Sequence, residues 1–191
     1  TATRVRAHFD SHTRLQVVTG FLGATDRGAT TTLGRGGSDL TASLLGVALG
    51  ADEIQLWTDV SGVMSTDPRV VADAFPIPHL SYDELMELSH FGAKVVFPPT
   101  VHPARVAGIP LVIRNTFDPE APGTRVTADG AGSGGTVRGL ASIPHVALMR
   151  LEGDGMVGVP GIAQRLFGAL AGAGISVALI SQASSEHSIC F

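Results

Sequence analysis

Cysteine is nearly missing from this chain. Cys190 is the only one, so no disulfide can form within it, which fits a reducing compartment. Positive charge is not in excess either. Thirteen Lys and Arg against 17 Asp and Glu leave a formal charge of −4, which argues against nucleic acid as the main partner, since that role calls for a basic patch. No apolar run approaches the roughly 20 residues that cross a bilayer, and "TATRVRAHFDSH" lacks the apolar stretch of a secretory signal. Neither nucleic acid nor membrane is therefore expected as a partner. Apolar residues are plentiful, at 44% of 191, enough for one ordinary domain or two small ones. So is glycine, with 24 residues, which points to tight turns and close backbone approaches.

Strand-like and helix-like segments alternate. "LQVVTGF" (15–21), "EIQLWTD" (53–59) and "IPLVIRN" (109–115) are short β-branched runs that read as strands. Between the first two, Leu40, Leu44, Val47 and Ala48 fall on one helical face. Ser38 or Asp39 is placed to cap that helix and Gly50 to stop it. Ser81 followed by Glu84 forms a capping box before "LMELSHFGAKVV", a further helix. This alternation predicts an α/β sheet covered on both faces. After Val126 the glycine-rich "TADGAGSGGTVRG" reads as a linker. The division expected is 1–127 for a first domain, 128–138 for a linker and 139–191 for a second domain. In the latter, "HVALMRLEG" is a strand, and Ile162, Leu166, Ala169 and Ala173 line a helix that begins after Pro160. "ISVALIS" and "SICF" are two more strands. A β-α-β-β order is half of a small α+β domain, and its open edge calls for a partner.

The densest chemistry lies in "TTTLGRGGSDLTASLLG" (30–46). Gly34, Gly36 and Gly37 let backbone approach a ligand, and the following helix aims its free amides and the positive end of its dipole at the same place. Arg35 can grip a carboxylate with two bonds, and Asp39 an ammonium. An amino acid carries both groups. The plainer alternative is a glycine-rich turn capping a surface helix. The loop is not a phosphate-binding loop of the Walker type, because no lysine follows the second glycine at the required place.

A second loop, 58–69, follows a strand's carboxyl end, where open α/β sheets usually bind ligands. Thr58, Asp59, Asp67 and Arg69 suit a ribose, a base edge or phosphates; Asp67-Pro68 is equally an ordinary turn opener. Lys94 either reaches a phosphate or snorkels to solvent. His8 and His12 have the i, i+4 spacing of a metal pair but no third ligand nearby in sequence, so no metal site is expected. Cys190 reads as a small packing hydrophobe.

Four longer stretches, "TTTLGRGGSDLTA", "WTDVSGVMSTDPRVV", "LSYDELMELSHFGAKVV" and "IPLVIRNTFDPEAPGTRV", occur in that order. Together they resemble the C-terminal half of the aspartokinase catalytic domain. "TDVSGV…DPR" is shared with other amino-acid kinases such as glutamate 5-kinase, and "LGRGGSD" selects aspartokinase. The stretch from His145 to Phe191 resembles the first regulatory ACT domain of that family, with "GVPGIA" and "ISQASSEHS" similar to the bifunctional aspartokinase–homoserine dehydrogenases. The resemblance implies the C-terminal part of a three-layer amino-acid-kinase sandwich followed by a truncated, ferredoxin-like ACT domain. It implies transfer of the ATP γ-phosphoryl group, with Mg²⁺, to the side-chain carboxylate of L-aspartate, in the cytoplasm or in a plastid if the source is a plant.

Carried over by motif, Arg35, Gly36, Gly37 and Ser38 would hold aspartate, and Arg35 and Asp39 would serve catalysis. Thr58, Asp59, Met64, Arg69, Lys94 and Val95 would line the ATP site. Gln182 would touch a threonine or lysine effector, and ACT domains imply a homodimer. Met64 stands where the family commonly has tyrosine, and Phe97 where it often has histidine. The family's opening "KFGGTS"-type phosphate motif is not in this sequence, so the isolated chain is expected to be inactive as a kinase and to act, if alone, as an amino-acid-sensing module.

Overall fold

The computed structural model describes residues 2–90, 95–130, 137–183 and 187–191, which divide into two compact units, 1–143 and 144–191. The first unit contains α1 (Ala2–Ser11), β1 (Leu22–Ala24), β2 (Thr30–Thr32), α2 (Gly37–Leu49), β3 (Ile54–Thr58), β4 (His79–Ser81), α3 (Tyr82–His90), α4 (Pro98–Ala107), β5 (Leu111–Asn115) and β6 (Thr124–Thr127). Its main sheet has the order β3-β5-β6-β4. β3 runs parallel to β5 and β4 parallel to β6, while β5 and β6 are antiparallel. This is the mixed α/β layout that the alternation predicts.

Along β3 one face is covered rather than the two expected. Ile54 and Leu56 are buried, whereas Gln55 and Trp57 are exposed. Leu111, Ile113, Val126 and Leu80 of the sheet join Leu85 and Leu88 of α3 and Val101 and Ala104 of α4 in one core. Each large side chain buried there contributes on the order of 1.5–3 kcal/mol. α2 lies against it with small residues inward. Ser43, Gly46 and Ala48 are buried, Val47 packs on the core and Leu44 is exposed, so the expected face is covered at Val47 and Ala48 and open at Leu44. The reason is proximity: a Cβ on Gly46 would lie 2.5 Å from Ile54. Ser43 Oγ, moreover, donates to the Thr100 carbonyl at 2.7 Å, pinning α2 to the first turn of α4.

Two expected strands are largely absent. Residues 15–20 form no ladder, and Leu15 and Val17 are almost fully exposed; a strand needs a neighbour, and none among the described residues pairs with it. In the second unit β7 (Arg150–Glu152), α5 (Ile162–Gly172), β8 (Ser181–Gln182) and β9 (Ser188–Cys190) keep the β-α-β-β order. The sheet order is β7-β9-β8, and only the end of "ISVALIS" is strand. The half-buried stripe of α5 runs through Ile162, Leu166, Phe167 and Leu170, while Ala169 and Ala173 are exposed. The N-terminal segment is helix, with Arg6 Nε donating to the Ala48 carbonyl of α2. The glycine-rich linker falls mostly on 131–136, outside the described residues. Arg138 and Leu140 bond to the first unit, at Glu84 and at the Ser65 carbonyl.

The capping box is present in full. The Ser81 amide donates to Glu84 Oε2 at 2.7 Å, and the Glu84 amide donates to Ser81 Oγ at 3.1 Å. Arg138 Nε reaches the other carboxylate oxygen at 3.1 Å. The Ser81 backbone bond, above all, holds the Glu84 carboxyl below its ordinary 4.5. A lowered folded pKa adds stability that is present above the unfolded value and is lost as pH falls through the folded one. Glu84→Ala is expected to cost about 1 kcal/mol at pH 7 and to flatten the loss of stability on acidification below pH 4.5. Urea denaturation across that range checks it, and an unchanged pH 7 midpoint would count against it.

Candidate functional site

The glycine loop ends in a helix mouth with an uncapped first turn. Gly36 is the N-cap residue of α2, at φ 70°, and no side chain bonds back to the turn. Neither Ser38 nor Asp39 caps the helix, contrary to expectation; the left-handed glycine turns the chain instead, with the Gly37 amide bonded to the Gly34 carbonyl at 3.0 Å. The Ser38 and Asp39 amides of the first turn have no partner among the described residues, as the open end of a helix that can meet a ligand. Arg35 is exposed and has no partner among the described residues. Asp39 sits in the first turn of α2, and burial raises its carboxyl above the usual range. Beside them runs the segment 20–21. Thr41 Oγ1 donates to the Gly37 carbonyl at 2.7 Å and accepts from the Phe21 amide at 3.1 Å. Phe21 itself has φ 70°, a conformation that is uncommon for a large side chain and needs such support.

The second loop leaves the carboxyl end of β3. Thr58 Oγ1 donates to Asp59 Oδ1 at 3.1 Å. Arg69 grips Asp67, the closest contact being 2.7 Å, and the Asp67 carboxylate also accepts from the Arg69 amide. The guanidinium therefore holds the Asp67 carboxyl below its usual range, and Asp67 both opens the turn and neutralises Arg69. Met64 is half-buried and bridges to Pro76. Lys94 lies outside the described residues. Val95 packs on the core, Val96 is in it, and Phe97 caps α4.

Phe97 packs against the glycine loop. A Cβ built on Gly36 would lie 2.3 Å from Phe97 Cβ and Cγ, so the ring occupies the space a side chain at residue 36 would need. Val96, one residue earlier, shares the core with Leu56 and Val63, which flank the second loop. The structure thus brings Gly36 and Val95–Phe97 together.

In the second unit Gln182 pairs with Ile189 and lines a cavity of about 190 Å³ with Met156, Pro160, Gly161 and Ile162 at the start of α5. The His8 and His12 rings stack on each other, 4.3 Å apart. Among the described residues no three His, Cys, Asp or Glu side chains gather as a metal site would require. No helix among them is long and apolar enough to cross a membrane.

Residues 2–115 match the amino acid kinase family. The chain belongs to that family. Residues 149–191 of this amino acid kinase match an ACT domain. It is 48% identical over 182 residues to the chloroplastic bifunctional aspartokinase/homoserine dehydrogenase of Daucus carota, covering 92% of this chain and 20% of that protein. It is 44% identical over 188 residues to the bifunctional enzyme of Haemophilus influenzae, covering 98% of this chain and 23% of that one. The chain thus spans about a fifth of the length of these curated relatives. Among solved structures, E. coli aspartokinase III in complex with aspartate and ADP superposes with a TM-score of 0.73 at 36% identity, over 100% of this chain and 43% of that one.

Sequence reasoning did not single out Thr41 or the Gly36–Phe97 contact. Thr41 stands four residues after Gly37, the spacing at which a hydroxyl bonds back to a helix carbonyl, so a signal was there. The contact is non-local and left none. It makes a clean comparison within this amino acid kinase. Gly34 and Gly36 both have positive φ, but a Cβ on Gly34 meets nothing within 4 Å. Gly34→Ala should cost about 1–2 kcal/mol, the left-handed penalty alone, and Gly36→Ala distinctly more, because Phe97 must also move. Chemical denaturation reads both; equal costs would remove Phe97 from the account.

Proposed function

We propose that this chain is part of an aspartate kinase, supplying the aspartate clamp and most of the nucleotide loop, followed by a regulatory ACT unit. The observation that carries the reading is the open mouth of α2 with Arg35 exposed and unpartnered beside it. Support comes from the identity to bifunctional aspartokinases and from the likeness to an aspartokinase that binds aspartate and ADP.

In this reading Arg35 and the first-turn amide of Ser38 take the α-carboxylate of L-aspartate, Gly36 and Gly37 let the ligand approach the backbone, and Asp39 faces its ammonium. Thr58, Asp59, Met64, Arg69, Lys94 and Val95 line the ATP site. An oxygen of the aspartate side-chain carboxylate attacks the γ-phosphorus, the bond to the bridging oxygen breaks, and ADP leaves. No proton need move. The protein's task is to place the two anions in line and to offset their charge. Mg²⁺ enters as the nucleotide's ion. The described residues form no cage for it, and Mg²⁺ is commonly held by substrate phosphates with one or two carboxylates; no residue of this chain is assigned to it.

Gln182 and its cavity suit an amino-acid effector, threonine or lysine. A related aspartokinase III was solved with lysine and aspartate. The second unit leaves Leu148, Leu179 and Ile180 exposed, which favours pairing of ACT units in a homodimer. The plant relatives are named chloroplastic, and the compartment proposed is the cytoplasm, or the plastid for a plant source.

Arg35→Ala in the whole protein should lower kcat/KM for aspartate by roughly 10- to 100-fold, the weight of hydrogen bonds from a charged donor, with KM for ATP little changed. A coupled ADP-release assay measures this. Loss of both parameters alike, or of neither, would overturn the assignment.

A further inference from the structure

Phe117 is one of the most exposed large apolar residues of the chain, at 82%, yet its backbone is held firmly. The Phe117 amide donates to Asn115 Oδ1 at 2.9 Å. The other end of that side-chain amide, Asn115 Nδ2, donates to Ser61 Oγ at 2.9 Å. Between them, the Thr116 amide donates to the Thr58 carbonyl at 2.8 Å. One asparagine thus ties the turn after β5 to the loop after β3, and a backbone bond from the next residue joins that turn to Thr58. Both turns leave the carboxyl ends of two parallel strands, where ligands of such sheets sit. A hydrophobic ring left in water costs free energy that apolar contact would recover. A ring fixed beside a ligand loop is a ready surface for a flat partner. The nucleotide loop has no aromatic of its own at residue 64, which is methionine. Phe75, on the far arm of that loop, is also exposed, at 61%, but bonds to Ser65, away from the strand ends.

We propose that Phe117 is the base-contacting residue of the nucleotide site, its ring packing on the purine while Asn115 positions the turn that carries it. The inference rests on the ATP-binding reading above. It adds a residue on β5's exit turn that touches the base rather than the phosphates.

Inorganic tripolyphosphate separates the two contacts, since it shares the phosphates of ATP and lacks the base. In the whole protein Phe117→Ala should weaken ATP binding roughly 10-fold, the usual effect of deleting one ring from a base stack. Tripolyphosphate binding and KM for aspartate should stay within about 2-fold. Phe117→Tyr should restore ATP affinity. The exposure of the ring lets the alanine variant keep its fold, which an unchanged thermal midpoint verifies. Asn115→Ala should weaken ATP in the same sense. The proposal fails if Phe117→Ala leaves ATP affinity unchanged, if it weakens ATP and tripolyphosphate equally, or if Phe75→Ala alone carries the loss. Failure of the wild-type protein to bind ATP at all would instead remove the reading beneath it.

Discussion

Gly36 has a left-handed backbone, and the ring of Phe97 stands where its side chain would be. That contact sets the geometry of the loop before α2. Any other residue would meet both a backbone penalty and a ring that is itself anchored, because Phe97 caps α4 and its carbonyl accepts from the Thr100 amide. Thr100 in turn accepts from buried Ser43 in the second turn of α2. The chain of contacts closes on itself: the glycine loop, the start of α4 and α2 hold one another. The helix mouth faces outward without a cap because the turn is made by glycine rather than by a side chain that would fill it.

Around that mouth the structure holds a set of costly features. Phe21 adopts a positive φ, at an expense on the order of 1–3 kcal/mol, and is held by Thr41 and by the Leu33 amide. Asp39 is partly desolvated, and burial raises its pKa. Arg35 is exposed and has no partner among the described residues. None of these stabilises the fold by itself. Together they set a cation and a partly buried carboxylate beside the helix mouth, the pairing on which the proposed amino-acid site rests.

The sequence made some elements legible and hid others. β3 and β5 were readable because their inward residues are β-branched or leucine and their ends are punctuated. The Ser81–Glu84 box was readable because capping is local chemistry three residues apart. The run 15–20 misled because a β-branched composition cannot show whether a neighbouring strand exists to pair with it. α2 misled differently: Leu44 of the expected face is exposed, while Ser43 and Gly46 face in. Those small residues are what close approach to Ile54 and Thr100 permits. At the site, the residue types in "LGRGGSD" suggested both an anion clamp and a side-chain cap; the cap is not there, because a left-handed Gly36 makes the turn. The Phe97 contact and the Asn115 bridge to Ser61 span 61 and 54 residues of sequence, so periodicity could not reveal them.

The central claim is that the amides at the mouth of α2, together with Arg35, take hold of the acidic amino acid. A crystal structure of the whole protein with L-aspartate tests it most directly. The account predicts a ligand carboxylate about 2.7–3.2 Å from the Arg35 guanidinium and the first-turn amides. Aspartate found elsewhere, with this mouth left to solvent, would contradict it.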